Sequence, residues 1–329
     1  MPRRSPQGLP KAAPSASSRP PLPGSANSCS DSLGPSYGTL ADAYGNEFKL
    51  PDFTIKQIRD AIPAEYFERS ALFGFGYVFR DLSLLAATFY AFNTHVTPAF
   101  VPSFSARFAL WSLYSFLNGL FGTGLWVLAH ECGHQAFSTS RALNNAVGWT
   151  LHSALLVPYF SWKISHRKHH RGTGHMERDM VFVPRTREHF AAHRGLRAED
   201  LSEVMEDTPI YSALHLIGRQ LVGWPIYLMT NDTGHDFHER QPEGRGVGKR
   251  NGFFKGVNHF NPQSPLFEEK DANLVLLSDL GLAIMCYVLW CIGQAYGWEN
   301  LLIWYFLPYL WVNNWLGEFI QKPPPYLQY

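Results

Sequence analysis

From residue 81 onward the chain alternates between long apolar runs and polar connections. The run "LSLLAATFYAFNTHVTPAF" follows Asp81 and is broken by Pro98 and Pro102 ahead of Arg107. The next, "FALWSLYSFLNGLFGTGLWVLA" (108–129), carries no charge. A helix needs roughly 20 apolar residues to cross a bilayer, so these two runs predict a transmembrane helical hairpin. Two later runs, "LGLAIMCYVLWCIGQAYGW" and "LLIWYFLPYLWVNNWLG", are divided by Glu299 and Asn300 and predict a second hairpin. Trp and Tyr crowd their ends, as at a membrane interface. Two stretches between the pairs are more polar: 142–162, interrupted by Pro158, and 210–230, which holds His215 and Arg219.

Charge placement orients these elements. The segment 141–197 holds Arg141, Lys163, Arg167, Lys168, Arg171, Arg178, Arg185, Arg187, Arg194 and Arg197, whereas the connection 97–107 has only Arg107. The basic side is therefore expected to be cytosolic. A single crossing by 142–162 would put the next basic cluster on the wrong side. That stretch and 210–230 are thus expected to lie in the interface or re-enter. The expected fold is all-α: a polytopic membrane protein with two transmembrane helical hairpins, about four spans, interfacial helices and a cytosolic metal-binding cap. Both termini would be cytosolic.

Residues 1–43 are Pro/Ser/Gly-rich and basic without an apolar core, which predicts a disordered tail rather than a signal peptide. Folded sequence is expected near "FTIKQIRDAI", with Thr54 as N-cap and Pro63 as stop of a short surface helix. The segment 231–273 reads as polar loop. Charged residues are 17% and aromatics 15%, against about a quarter charged in a soluble domain. A net charge of +1 argues against nucleic acid as a partner, because phosphate binding needs a concentrated basic face. Cys29, Cys132, Cys286 and Cys291 form no C-x-x-C pair and read as reduced structural residues.

Histidines are concentrated where the second apolar run stops. "HECGH" supplies His130 and His134, and "SHRKHH" supplies His166, His169 and His170. Positions i, i+3 and i+4 share a helix face, so each group presents an imidazole patch at the cytosolic end of an apolar segment. Imidazole suits iron, zinc or copper. A zinc protease would use His130, His134, a third ligand such as Asp279, and Glu131 as base, leaving the second group unused. Five histidines match two metal ions better, and two irons at an apolar interface can activate dioxygen to attack an unactivated carbon–hydrogen bond.

The run 129–184, "AHECGHQAFSTSRALNNAVGWTLHSALLVPYFSWKISHRKHHRGTGHMERDMVFVP", strongly resembles the membrane fatty acid desaturases, in particular their fungal and plant delta-12 (oleate) branch. "YGNEFKLPDFTIKQIRDAIPAEYFERS", "NDTGHDFHERQPEGRG" and "VNHFNP" look like the fungal members, so the resemblance runs from about 44 to 316. It implies that His130 and His134 form a first histidine box and His166, His169 and His170 a second, all five ligating a pair of iron ions. It implies an endoplasmic reticulum membrane protein that takes electrons from cytochrome b5, uses O2, and inserts a cis double bond into a C18 acyl chain of a lipid. Glu131 would orient a ligand histidine by accepting its other N–H, and Asp179 and His175 would serve similarly or cap a loop. His235, His238 and His259 read as solvated. A homo-oligomer is compatible with this class.

Family members carry a third box, H-x-x-H-H, beyond the last transmembrane pair. None follows His170 here, and 317–329, "GEFIQKPPPYLQY", departs from the family pattern. The expectation from sequence is an aberrant tail, an incomplete ligand set and an inactive polypeptide. Hydroxylases and conjugases of the same scaffold are open alternatives, as is a non-catalytic role through association with an intact enzyme.

Overall fold

A computed structural model describes residues 53–175, 179–183, 209–234 and 256–316. The expected disordered tail, the 317–329 tail, His235 and His238 lie outside the described residues. The chain divides into two compact units, 1–63 and 64–329. In the first, helix α1 (Ile55–Asp60) is opened by Thr54, whose hydroxyl accepts from the Gln57 amide while the Gln57 side chain returns a bond to the Thr54 N–H. This capping box satisfies two amides that a helix start leaves open.

Among its described residues the second unit is all-helical, with no strand. Helix α2 (Ala71–His95) and α3 (Phe104–Gly133) form the expected hairpin. The connection holds Pro98 and Pro102, and Arg107 folds back to donate to the carbonyls of Val101 and Pro102 at 2.8 and 2.9 Å. The two helices are stitched by Phe92 against Trp111 and Tyr114, and by a Thr88–Asn118 side-chain bond. Where Asp81 crosses α3, Gly124 is required: a Cβ there would lie 2.3 Å from the carboxylate.

Two further helices, α4 (Arg141–Ala154) and α5 (Tyr159–Gly172), replace the single stretch 142–162. Pro158 cannot donate a helical N–H, and Leu156 turns through a positive φ of 53° just before it. Helix α6 (Pro209–Thr230) tolerates Pro225 in its interior. Helix α7 (Ala272–Tyr296) ends at Gly297, whose φ of 92° favours glycine. The expected divider, Glu299 and Asn300, lies instead in the first turn of the next helix. That last stretch alternates α (Trp298–Leu301), π (Leu302–Phe306), α (Leu307–Leu310) and π (Trp311–Leu316). It packs so tightly on α3 that a Cβ at Gly119 would fall 2.3 Å from Trp311.

Among the described residues, two helices are long and apolar enough to cross a membrane, Ala71–His95 and Glu269–Tyr296. Only 11% and 22% of their apolar windows are buried within the protein, and Leu72, Phe73, Phe79 and Tyr90 of α2 and Leu276, Leu280 and Tyr287 of α7 project outward. A core helix of a soluble protein would be covered. Helix α3 does not join them by hydropathy, because Trp, Tyr, Ser, Gly, Thr and Asn dilute its uncharged run. The main core cluster, Trp126, Val157, Trp162, Val181, Trp224, Tyr227, Leu228 and Val312, joins α3, α5, α6 and the last helical stretch.

Candidate metal centre

Helix α3 stops just past its apolar run in a Schellman motif. The amide of Gln135 bonds Cys132 O and that of Ala136 bonds Glu131 O, with Gln135 at a φ of 63° in the place usually held by glycine. This termination fixes the last turn, which carries His130, Glu131 and His134. Buried Asn144 then closes the loop, donating to Ser138 O and Ser140 O and accepting from Ser138 N.

The second histidine group stands on α5, which begins on Pro158 with no capping side chain of its own. Ser278 of α7 supplies one across the fold: its buried hydroxyl accepts from the Phe160 and Ser161 amides at 2.9 and 3.3 Å. Lys168 of α5 donates to Leu266 O at 2.7 Å. The helix is thus held from outside at both ends of its length.

Four of the five histidines converge. His130 Nε2 lies 2.9 Å from His166 Nε2 and 3.3 Å from His134 Nε2, and His166 Nε2 lies 3.2 Å from His134 Nε2. His170 Nε2 joins at 3.0 Å from His166. The four ligand atoms all fall within 4.8 Å of one another. Three mutually close imidazole nitrogens cannot all be satisfied by hydrogens. In any tautomer assignment, at least one pair sets lone pair against lone pair or hydrogen against hydrogen. A cation among them removes the conflict. Nitrogen donors about 2.1 Å from a metal stand roughly 3.0–3.4 Å apart in octahedral or tetrahedral arrangement, so the spacing fits an ion.

The electrostatics agree. Burial, aided by neighbouring imidazoles, holds His134, His166 and His170 below the ordinary histidine value, His166 at about 2. Neutral imidazole is the form that ligates. The hydrogen bond with His130 holds the Glu131 carboxyl below its usual range. The Glu131 carboxylate accepts from His130 Nδ1 at 3.0 Å, which leaves the His130 Nε2 lone pair directed at the cluster.

His169 stands apart from the four. Its Nδ1 lies 2.6 Å from Asp179 Oδ1, and its ring is 6.0 Å from that of His166. Asp179 is buried and also accepts from the amides of Val181 (3.0 Å), Phe182 (3.1 Å) and Gly174 (3.2 Å). One carboxylate therefore both ties together the amides of Gly174, Val181 and Phe182 and orients His169. For His175 the structure gives backbone bonds, His175 N to Gly172 O and Asp179 N to His175 O.

Two indoles that the histidine spacing does not predict lie beneath the converging rings. Trp126 stacks on His130 at 5.7 Å and Trp162 on His166 at 4.3 Å, each at 20°. Both follow from W-x-x-x-H, one helical turn, and its occurrence twice was the available signal. His152 is enclosed between Trp126, Trp162 and Tyr159. Burial pushes it down to about 3. His259, expected to be solvated, is fully buried and bonded to Ser165. The Asp279 of the protease alternative does not belong to the cluster, where His166 and His170 complete the His130–His134 pair. Cys132, Cys286 and Cys291 are free thiols.

A family model described as "Fatty acid desaturase" matches residues 106–322, most of the described fold and every histidine of the centre. The chain is 58% identical over 293 residues to the oleate hydroxylase of Claviceps purpurea, covering 88% of this chain and 61% of that protein. It is 40% identical over 294 residues to a delta(12) fatty acid desaturase of Mortierella isabellina, covering 87% and 69%. It is 37% identical over 266 residues to a delta(12)-acyl-lipid-desaturase of Punica granatum, covering 81% and 62%. The chain thus spans about three fifths of the length of the hydroxylase it matches. The relatives are oxidoreductases of fatty acid metabolism, and by the extent of the match this chain belongs to the fatty acid desaturase family.

Proposed function

We propose that this chain carries part of a non-haem iron centre that oxidises a C18 acyl chain in the endoplasmic reticulum membrane. The observation that carries the reading is the meeting of His130, His134, His166 and His170 at the end of the uncharged run 108–129. These four would hold one ion. His169, turned away from the four and held by buried Asp179, would serve a second ion together with donors beyond the described residues. When bound, an iron pair supplies dioxygen activation strong enough to break an unactivated carbon–hydrogen bond.

The protein's part is to bind and orient. Glu131 sets the tautomer of His130 and Asp179 that of His169, as outer partners of metal-bound histidines commonly do. Trp126 and Trp162 hold two rings in place and keep water from their inner faces. The hairpins α2–α3 and α7 with 298–316 would make four crossings, with α4, α5 and α6 at the cytosolic interface. There a small haem protein such as cytochrome b5 would deliver electrons.

Two outcomes at the acyl chain fit: a cis double bond, as for the delta(12) desaturases, or a hydroxyl group. The 58% identity to an oleate hydroxylase, against 40% to a fungal delta(12) desaturase, supports keeping the second. The test is expression in yeast of residues 1–316 joined to the remaining C-terminal part of the Claviceps hydroxylase, followed by gas chromatography of total fatty acids. Dienoic or hydroxylated C18 acids are expected from the fusion. A fusion that is membrane-inserted yet makes no new acid would contradict the reading.

A further inference from the structure

We propose that His259 is a positioning residue that sets the rotation of α5, and through it the place of His166 in the histidine centre; this rests on reading that centre as a metal site. His259 lies 94 positions from Ser165, yet its Nε2 is 3.1 Å from the Ser165 hydroxyl. That hydroxyl spends its own hydrogen on Trp162 O at 3.0 Å, so it accepts from His259 Nε2–H. Both residues are fully buried. Ser165 immediately precedes His166, and Trp162 is the indole on which His166 stacks. One bond from His259 therefore reaches the serine beside a converging histidine and the residue beneath that histidine.

The brace is itself rigid. His259 N–H donates to Leu228 O at 2.9 Å, and its ring packs 4.9 Å from that of Tyr227, both on α6. Asn258 Oδ1 accepts from the amides of Phe260 and Asn261 at 3.0 and 2.8 Å, which fixes the turn that presents the ring. The same loop holds Lys168 through Leu266 O. Loop 256–271 thus grips α5 at positions 165 and 168, on either side of His166. Side-chain tips lie about 5–6 Å from a helix axis, so a rotation of about 20° would move an imidazole by about 2 Å and break the 2.9–3.3 Å convergence. Nothing else in the centre reads the His259 ring directly, since no atom of it belongs to the four-histidine group.

The test uses the full chain in detergent micelles, with Co(II) as the probe, read by its visible absorption in titrations at pH 7.5. His259→Phe fills the space without the N–H, whereas His259→Gln restores a donor. The expected result is a loss of Co(II) affinity of about tenfold in His259→Phe, the low end of what removing a group bonded directly to a ligand causes because His259 acts one residue further out, and a change within about threefold in His259→Gln. Co(II) binding by His259→Phe at the wild-type level overturns the proposal. So does an equal loss in both variants, which would mark a packing role. Should His259→Phe fail to fold, Ser165→Ala removes the other half of the bond and is expected to show the same loss; wild-type affinity there overturns the proposal equally. His166→Ala separates the two claims. Its loss of Co(II) binding alongside intact His259→Phe refutes the brace alone, whereas wild-type binding by His166→Ala refutes the metal reading and the brace with it.

Discussion

Replacing Asp179 with alanine removes four hydrogen bonds from one buried carboxylate. The Gly174 amide is exposed and regains water, so its loss is small. The Val181 amide is buried and that of Phe182 half-buried, and each stranded donor costs about 1–3 kcal/mol. With the partner of His169 Nδ1 also gone, the sum is about 3–5 kcal/mol. For a domain of this size that lowers the unfolding temperature by roughly 5–15 °C. Asp179→Asn keeps an acceptor toward His169, Val181 and Phe182 but turns an amide group toward the Gly174 N–H, and is expected to cost about 1–2 kcal/mol. Thermal unfolding in micelles, followed by tryptophan fluorescence, reads both. An alanine variant that melts within about 1 kcal/mol of wild type would refute the claim that Asp179 organises this loop.

Other outcomes follow from the same contacts. Ser278→Ala should strand the Phe160 and Ser161 amides and destabilise the fold by about 1–2 kcal/mol, with faster hydrogen exchange confined to the first turn of α5; unchanged exchange there would count against the cross-fold cap. His259 is held at about 4 by burial, against about 6.5 unfolded. The unfolded chain binds the extra proton between these values, so stability is lost as pH falls below about 6.5, by up to about 1.4 kcal/mol per pH unit from this group. His259→Phe should flatten the denaturation profile between pH 6.5 and 5 by that slope, and an unchanged slope would show that His259 is not buried neutral.

Much of this architecture is local, and so was readable. Thr54 with Gln57 announces a capped start, Pro98 and Pro102 a hairpin turn, and Pro158 a break. The spacing of His130 with His134 and of His166 with His170 places each pair on one helix face. The division between the last two helices falls at Gly297, just ahead of Glu299 and Asn300, because the left-handed turn there carries more weight than the polarity of that pair. What sequence could not reveal depends on distant packing. Ser278 caps a helix 118 positions away, and His259 reaches Ser165 across 94. No local period marks either serine or His259 as different from a solvated polar residue. His169 shares its helix and spacing with the other ligand candidates. Only the place of Asp179, 2.6 Å from the His169 Nδ1, shows that it points elsewhere.

The most direct test of the account is the environment of a metal bound to the full chain, measured by metal analysis and X-ray absorption after loading with Fe(II). The four-histidine convergence predicts about one tightly held ion per chain, ringed mainly by imidazole nitrogen at about 2.0–2.2 Å, and its loss in His166→Ala. A shell dominated by oxygen, or the same ion retained after His166→Ala, would contradict it.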